Sequence, residues 1–306
     1  MLPVQASLAS IRRRGTALVL VLWVIVGLSL TVVAGTRAIS AHTRLAAVEI
    51  DRQRAEAMLD GAISILAQQL SVDGNAGKSY KLYELTMGGA QVTVEVTPSK
   101  GLIDLNVASE ELMQGLLREI GGMHPGEAIV MGSRIRDWID PDDQPGGVGG
   151  AESAQYRSAG WPSLPRNAAM EDGSELLSVL GMTPEIYEKL QPFIGINGDQ
   201  RLDIGSAPGM LIDRLTGKPG IGAQIHASPS EQREALASPF TSMPYFRSRP
   251  SDSDRTVRLI ASLTSASGLA WQRLVWLDRA ERPDTLTPWT TLAVDPTRRS
   301  TAAPQE

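Results

Sequence analysis

Between Arg12 and Thr36 the chain reads RRRGTALVLVLWVIVGLSLTVVAGT, and after Arg14 no charge recurs until Arg37. About twenty uncharged, mostly apolar residues rise ~30 Å as a helix, the thickness of a bilayer's hydrocarbon layer. The stretch reads as a membrane helix. Arg12, Arg13 and Arg14 stay in the cytoplasm by the positive-inside rule, which puts everything after Arg37 across the membrane. A secretory signal peptide is the competing reading, since it too begins basic and continues apolar. The length of the apolar run and the lack of a small-x-small site ahead of a clear mature domain count against it.

The helical period continues beyond the apolar run. Ala41, Leu45, Val48, Ala55, Leu59, Ala62, Leu66 and Gln69 or Leu70 recur every three or four residues, and no proline interrupts Thr16 to Leu70. One rod of about fifty-five residues, roughly 80 Å long, is expected to start in lipid and end in water. Its watery half is amphipathic and must lie on something.

A short basic leader ending in glycine, followed by an uncharged helix that runs unbroken toward a globular part, resembles the class III signal of type IV pilins and type II secretion pseudopilins. In that family a prepilin peptidase cuts after the glycine, here Gly15, and methylates the new amino terminus, here Thr16. The fifth mature residue is usually glutamate. Here it is Leu20, which departs from the major pilins and is the pattern of the K-type minor pseudopilins (general secretion pathway protein K). A carboxylate in lipid is costly without a partner, and a subunit at the tip has none above it. The resemblance implies a single-pass inner-membrane protein with its body in the periplasm. It also implies the prepilin peptidase and the I and J type minor pseudopilins as partners.

The remaining length, with 42% apolar and 21% charged residues, suits folded domains rather than disorder. A net charge of −5 offers no electrostatic case for nucleic acid. The chain has no cysteine, which excludes a disulfide scaffold and thiolate chemistry.

After the turn cluster Asp73–Gly77, Gly89 to Thr97 alternates Val92, Val94 and Val96 with polar residues and predicts a half-buried strand, with Lys81 to Met87 as its hairpin partner. Helices are expected after Ser109, from Pro125 to Ile139, from Ser174 to Leu180 and from Pro184 to Phe193. Leu202 to Pro208 echoes Ile103 to Ser109, again before a helix, so a duplicated helical unit is expected. Strands return at Arg255–Leu263 and Trp271–Arg279, with an edge at Trp289–Val294. The expected organisation is a leader over 1–15, the rod over 16–72, the first part of a sheet over 73–98, a helical insertion over 99–237, the rest of the sheet over 238–296 and a disordered tail over 297–306. The fold class is α+β, with the long helix packed on a pilin-like antiparallel sheet.

The repeat has a second reading. Its Gly-rich turns, Gly121–Gly126 and Gly217–Gly222, resemble helix-hairpin-helix modules that grip DNA phosphates, which makes a membrane-anchored DNA receptor the rival from another class. A minor pilin of a type IV pilus is the nearer alternative. Phosphate binding needs lysines and arginines, and the first turn is surrounded by Glu127, Asp137, Asp140, Asp142 and Asp143. No nucleic-acid partner is expected. The K-type family carries a similar duplicated helical domain.

The loop DWIDPDDQPG, then GGAES, gathers Asp137, Asp140, Asp142, Asp143 and Glu152. Crowded carboxylates repel unless a cation joins them, and oxygen ligands without histidine or cysteine favour Ca²⁺. A solvated acidic turn is the bland alternative. The loop is no EF-hand, because Pro145 holds the place of the required glycine and Ala151 that of the closing glutamate. The K-type family has a similar D-W-x-D-x-D stretch followed by G-A-E-D, and its members look like calcium binders; here Ser153 replaces the last acid. Asp140, Asp142, Glu152 and Asn167 are the candidate ligands. His42, His124 and His226 form no HExxH motif and the chain has no G-x-S-x-G elbow, so no enzyme is expected.

Overall fold

The computed structural model describes residues 8–73, 77–247, 255–280 and 287–300, and the side chains of all of these except 8–16, 33–42, 44 and 230. The chain divides into two compact units, Met1–Ala55 and Glu56–Glu306. Helix α1, Leu8–Val72, contributes to both.

In the first unit the apolar side chains from Leu18 to Val32 stand exposed, Trp23 at 72% among them. Among the described residues no helix is long and apolar enough to cross a membrane. The expected span, Thr16 to Thr36, runs past the described side chains at both ends. The expected processing pair, Gly15 and Thr16, lies on the helical backbone with side chains outside the described set, as does the side chain of His42; residues 1–7 of the leader are outside it altogether. Leu20 is described and exposed.

The second unit is built on an antiparallel sheet. Strands β1 (Lys81–Met87), β2 (Ala90–Pro98), β5 (Thr256–Thr264), β6 (Ala270–Asp278) and β7 (Thr290–Val294) lie in the order β1-β2-β5-β6-β7. Register places Val94 between Tyr83 and Ala261, and Ala261 beside Arg273. Val92, Val94 and Val96 alternate inward because side chains along a strand point to opposite faces, and all three are fully buried. Arg273 fixes which face the helix takes: its guanidinium reaches Glu56 at 2.9 Å and Asp60 at 2.6 Å on α1. The apolar stripe Leu59, Ala62, Leu66 and Leu70 is buried accordingly.

Thr297 is buried and its hydroxyl accepts from Arg273. Arg298–Arg299 (β8) then pair with Gln272 and Trp271. The expectation of a disordered tail from Thr297 is therefore corrected as far as Ser300, because the edge of β6 offers unpaired backbone groups there; residues 301–306 lie outside the described set.

The chain leaves the sheet after β2 and returns at β5. Between them come β3 (Ile103–Asp104), α2 (Glu110–Glu119), α3 (Pro125–Ile139), α4 (Ser153–Ser158), α5 (Pro184–Leu190), β4 (Ile194–Gly195), α6 (Gly209–Thr216), α7 (Ile221–Ala227) and α8 (Ser230–Ala237). Ser109 caps α2 by accepting from the Leu112 amide. Pro125 opens α3, where its missing N–H costs nothing. The helix expected at Ser174–Leu180 is instead a 3₁₀ turn, Gly173–Ser178, opened by Asp172.

The sequence echo is structural as well. The Asp104 carbonyl accepts from Ala108 and the Asp203 carbonyl from Ala207, and each carboxylate holds the amides just downstream. A helix pair follows each, α2 with α3 and α6 with α7. The second pair crosses at two glycines: a Cβ on Gly222 would lie 2.3 Å from the Gly209 carbonyl oxygen. Replacing Gly222 by alanine is expected to destabilise the protein by about 1–3 kcal/mol through overpacking, read as a lower urea midpoint at unchanged slope.

Candidate metal centre

The last turn of α3 sets the site. Asp137 is buried there, and its carboxylate accepts from the Gly146 amide at 3.0 Å, which folds the acidic loop back onto the helix. The fit demands glycine: a Cβ on Gly150 would sit 2.3 Å from Asp137 Oδ2 and 2.1 Å from the Gly146 carbonyl oxygen. Asp140 ends α3, and Glu152 leads into α4 with its amide donating to Gln155. On the far side Asn167 adopts φ 51, and its amide donates to the Trp138 carbonyl at 3.0 Å.

Carboxylate oxygens of Asp137, Asp140 and Glu152 all lie within 4.8 Å of one another. Two ligands on opposite sides of a Ca²⁺, each 2.3–2.6 Å away, stand about 5 Å apart, so the spacing suits one hard cation. Asp140 Oδ1, both Glu152 carboxylate oxygens and Asn167 Oδ1 are buried without a hydrogen-bond partner among the described residues. Such orphans are costly. The electrostatics agree: burial, then the neighbouring Asp137 and Asp140, push the Glu152 carboxyl up to about 7. Burial raises Asp137 and Asp140 as well. A divalent ion would satisfy the orphaned oxygens and cancel this repulsion, so the residues fit the ion that the loop composition suggests.

The structure thus brings together two of the four expected ligands, Asp140 and Glu152, and adds Asp137. The Asp142 carboxylate does not join them; it accepts from the Gln144 amide at 2.8 Å, a local turn. Asn167 donates its side-chain NH₂ to the Asp142 carbonyl, leaving its own oxygen unpartnered. Asp137 stood in the sequence among the crowded carboxylates of the loop but was not one of the four candidate ligands. Asp143 accepts from the Ser153 amide.

The Gly-rich turns of the repeat are differently arranged. The amides of Gly220 and Gly222 both donate to the Asp213 carboxylate, at 2.6 and 2.7 Å. In the first turn the amides of Gly121, Gly122 and Met123 donate to carbonyls of α2, and that of His124 donates to Glu127. Those six amides are already engaged within the protein.

Comparisons with known proteins agree with one another on what this chain is similar to. A model described as "Type II secretion system (T2SS), protein K" matches residues 96–197, the segment that holds β3 and the whole acidic loop. Over that third of its length the chain is similar to the type II secretion system protein K family. Similar proteins from Klebsiella pneumoniae and Pectobacterium carotovorum subsp. carotovorum, each named type II secretion system protein K, are 24% and 26% identical. Those matches take in 63% and 60% of this chain, but only 65% and 62% of the relatives' own length. In the crystal structure of the GspK-GspI-GspJ complex from the enterotoxigenic Escherichia coli type 2 secretion system, one chain is similar in fold. Its TM-score is 0.57 at 16% identity, over 82% of this chain and 98% of that one.

Proposed function

We propose that the chain is a minor pseudopilin at the tip of a type II secretion pseudopilus, a structural subunit that supports protein export across the outer membrane and is no enzyme. The observation that carries this reading is the departure of the chain from its sheet after β2 and its return at β5. A large helical body is thereby set into a pilin-like sheet that lies on the long helix. Such a body crowds the space above the sheet, which suits a terminal subunit. The apolar helix from Thr16 to Thr36 anchors the chain in the inner membrane and packs against the equivalent helices of I and J type partners, with the rest in the periplasm. A prepilin peptidase cuts between Gly15 and Thr16, and the acidic loop holds Ca²⁺ through Asp137, Asp140 and Glu152, with Asn167 beside them.

The test is co-purification: the full chain, expressed with I and J type pseudopilins of the same system and its prepilin peptidase, is expected to elute with both. Elution alone in every detergent tried would overturn the tip assignment. Intact-mass measurement of the same material is expected to give an N-methylated amino terminus at Thr16; a terminus downstream of Thr36 would mean a cleaved signal peptide. For the DNA receptor, the Asp213 carboxylate already fills the amide pocket of the second turn. Binding to duplex DNA at moderate salt is expected to stay weaker than micromolar, as titration by fluorescence anisotropy would show.

A further inference from the structure

His226, on α7, is a half-buried histidine that no proposed role uses. Its Nε2 bonds the Ala207 carbonyl at 2.9 Å. That nitrogen must therefore carry the proton, leaving a lone pair on Nδ1. Nδ1 is shut off from solvent and has no partner among the described residues. The ring stacks on Tyr80, centroids 4.6 Å apart. Tyr80 belongs to the lead-in of β1, and that lead-in is joined to the helical segment at the same spot: the Tyr80 amide donates to the Gly205 carbonyl, and Ser206 Oγ donates to the Lys78 carbonyl. His226, Ala207 and Tyr80 thus form one node where the helical segment meets the sheet.

The charged and titratable groups around the ring are Tyr80, Arg233 of α8 and Asp213 of α6. Behind Tyr80 stand Glu95 and the buried Arg258. Arg233 opposes a second positive charge. The Asp213 carboxylate, whose charge favours a protonated ring, is already held by the Gly220 and Gly222 amides.

We infer that His226 is an acid-sensitive latch between the helical segment and the sheet. Neutral, it accepts burial beside Tyr80 and holds Ala207. Doubly protonated, its Nδ1–H finds no acceptor in the enclosed site, and the joint at Lys78–Tyr80 and Gly205–Ala207 loosens. The direction of titration agrees, since burial lowers the imidazole to about 4. An unfolded histidine takes up its proton near 6.5. The latch is therefore fully engaged above about pH 6.5 and weakens as pH falls toward 4, by at most about tenfold in the open-to-closed ratio per pH unit.

Hydrogen exchange followed by mass spectrometry on the full-length protein in detergent, corrected for intrinsic rates, tests this. Between pH 6.5 and 4.5 the peptides holding Tyr80 and Ser206 are expected to lose roughly ten- to hundredfold in protection, while those of β5 and β6 hold. His226→Phe, which keeps the ring and cannot titrate, is expected to abolish the difference. Should that variant misfold, the imidazole of the wild-type protein is titrated directly by NMR. An ordinary value near 6.5, or equal loss of protection in β5 and β6, overturns the latch. The inference does not depend on the secretion reading, since neither outcome bears on the partners.

Discussion

Calcium added to the metal-free protein is expected to raise its melting temperature, and by more at pH 8 than at pH 5. The reason lies in Glu152. Burial and two neighbouring aspartates hold its carboxyl up to about 7, against 4.5 for the free side chain. A carboxyl whose folded pKa is raised contributes stability that is full below the unfolded value and is lost as pH climbs through the folded one. The metal-free protein thus loses this contribution between about pH 4.5 and 7, the window in which the unfolded chain has released its proton and the folded one still holds it. Binding an ion reverses the penalty, since the ligand must be ionised. At pH 5 calcium has to displace a proton; at pH 8 it does not. With calcium at a hundred times its dissociation constant the gain is ~2.7 kcal/mol, and for a domain of this size that is a shift of about 5–10 °C.

Glu152→Gln separates ion binding from a merely solvated turn. The amide keeps the shape and removes the charge, so the metal-free variant is expected to be more stable than the wild type at pH 8 and to gain little from calcium. Asp137→Asn should lose the calcium response as well, whereas Asp142→Asn should keep it, because that carboxylate serves the Gln144 amide. Melting curves with calcium and with a chelator at both pH values decide the matter. Identical curves for the wild type at pH 8 would sink the metal centre.

What the sequence shows of this site, and what it hides, follows from the range of the interactions. Val92, Val94 and Val96 announce their strand because alternation is a local pattern, and β2 occupies Ala90–Pro98. Pro125 and the polar residues after Ile139 mark the ends of α3 equally well, and α3 spans Pro125–Ile139. The site is harder. In one dimension Asp137 is a polar residue in a helix and Asp142 a loop carboxylate, the more natural ligand of the two. In three dimensions the Gly146 amide reaches back to Asp137 and buries it, while Asp142 spends its charge two residues away. An Asx turn and a metal ligand have the same letters. The 3₁₀ turn at Gly173–Ser178 escaped for a related reason: its apolar spacing fits a helix, and the Val179 amide, which would continue one, instead closes a tight turn on Leu176.

The largest loss of stability is expected at a residue with no chemistry at all. Gly101 ends the short turn that leads from β2 into the helical segment, and it is buried. A Cβ built there would lie 1.9 Å from the Ser206 carbonyl oxygen and 2.7 Å from the Ala207 nitrogen. Those are backbone atoms and cannot rotate aside. They also belong to the second repeat, which is pinned here from both sides: the Asp203 amide donates to the Lys100 carbonyl at 2.9 Å, and the buried Lys100 ammonium stands 3.5 Å from the Asp203 carboxylate. Gly101→Ala must therefore push the two segments apart or break this pairing, and a buried pair that loses its partner is expensive. The expected cost is about 3 kcal/mol or more, the upper end of overpacking. Gly132→Ala is the control. It lies inside α3, where the nearest atom to a new Cβ is 3.9 Å away, so alanine should gain about 0.5–1 kcal/mol by restricting the unfolded chain. Urea midpoints moving in opposite directions for the two substitutions are the expected result. A Gly101→Ala protein as stable as the wild type would mean that the helical segment does not sit against the sheet where Ser206 places it.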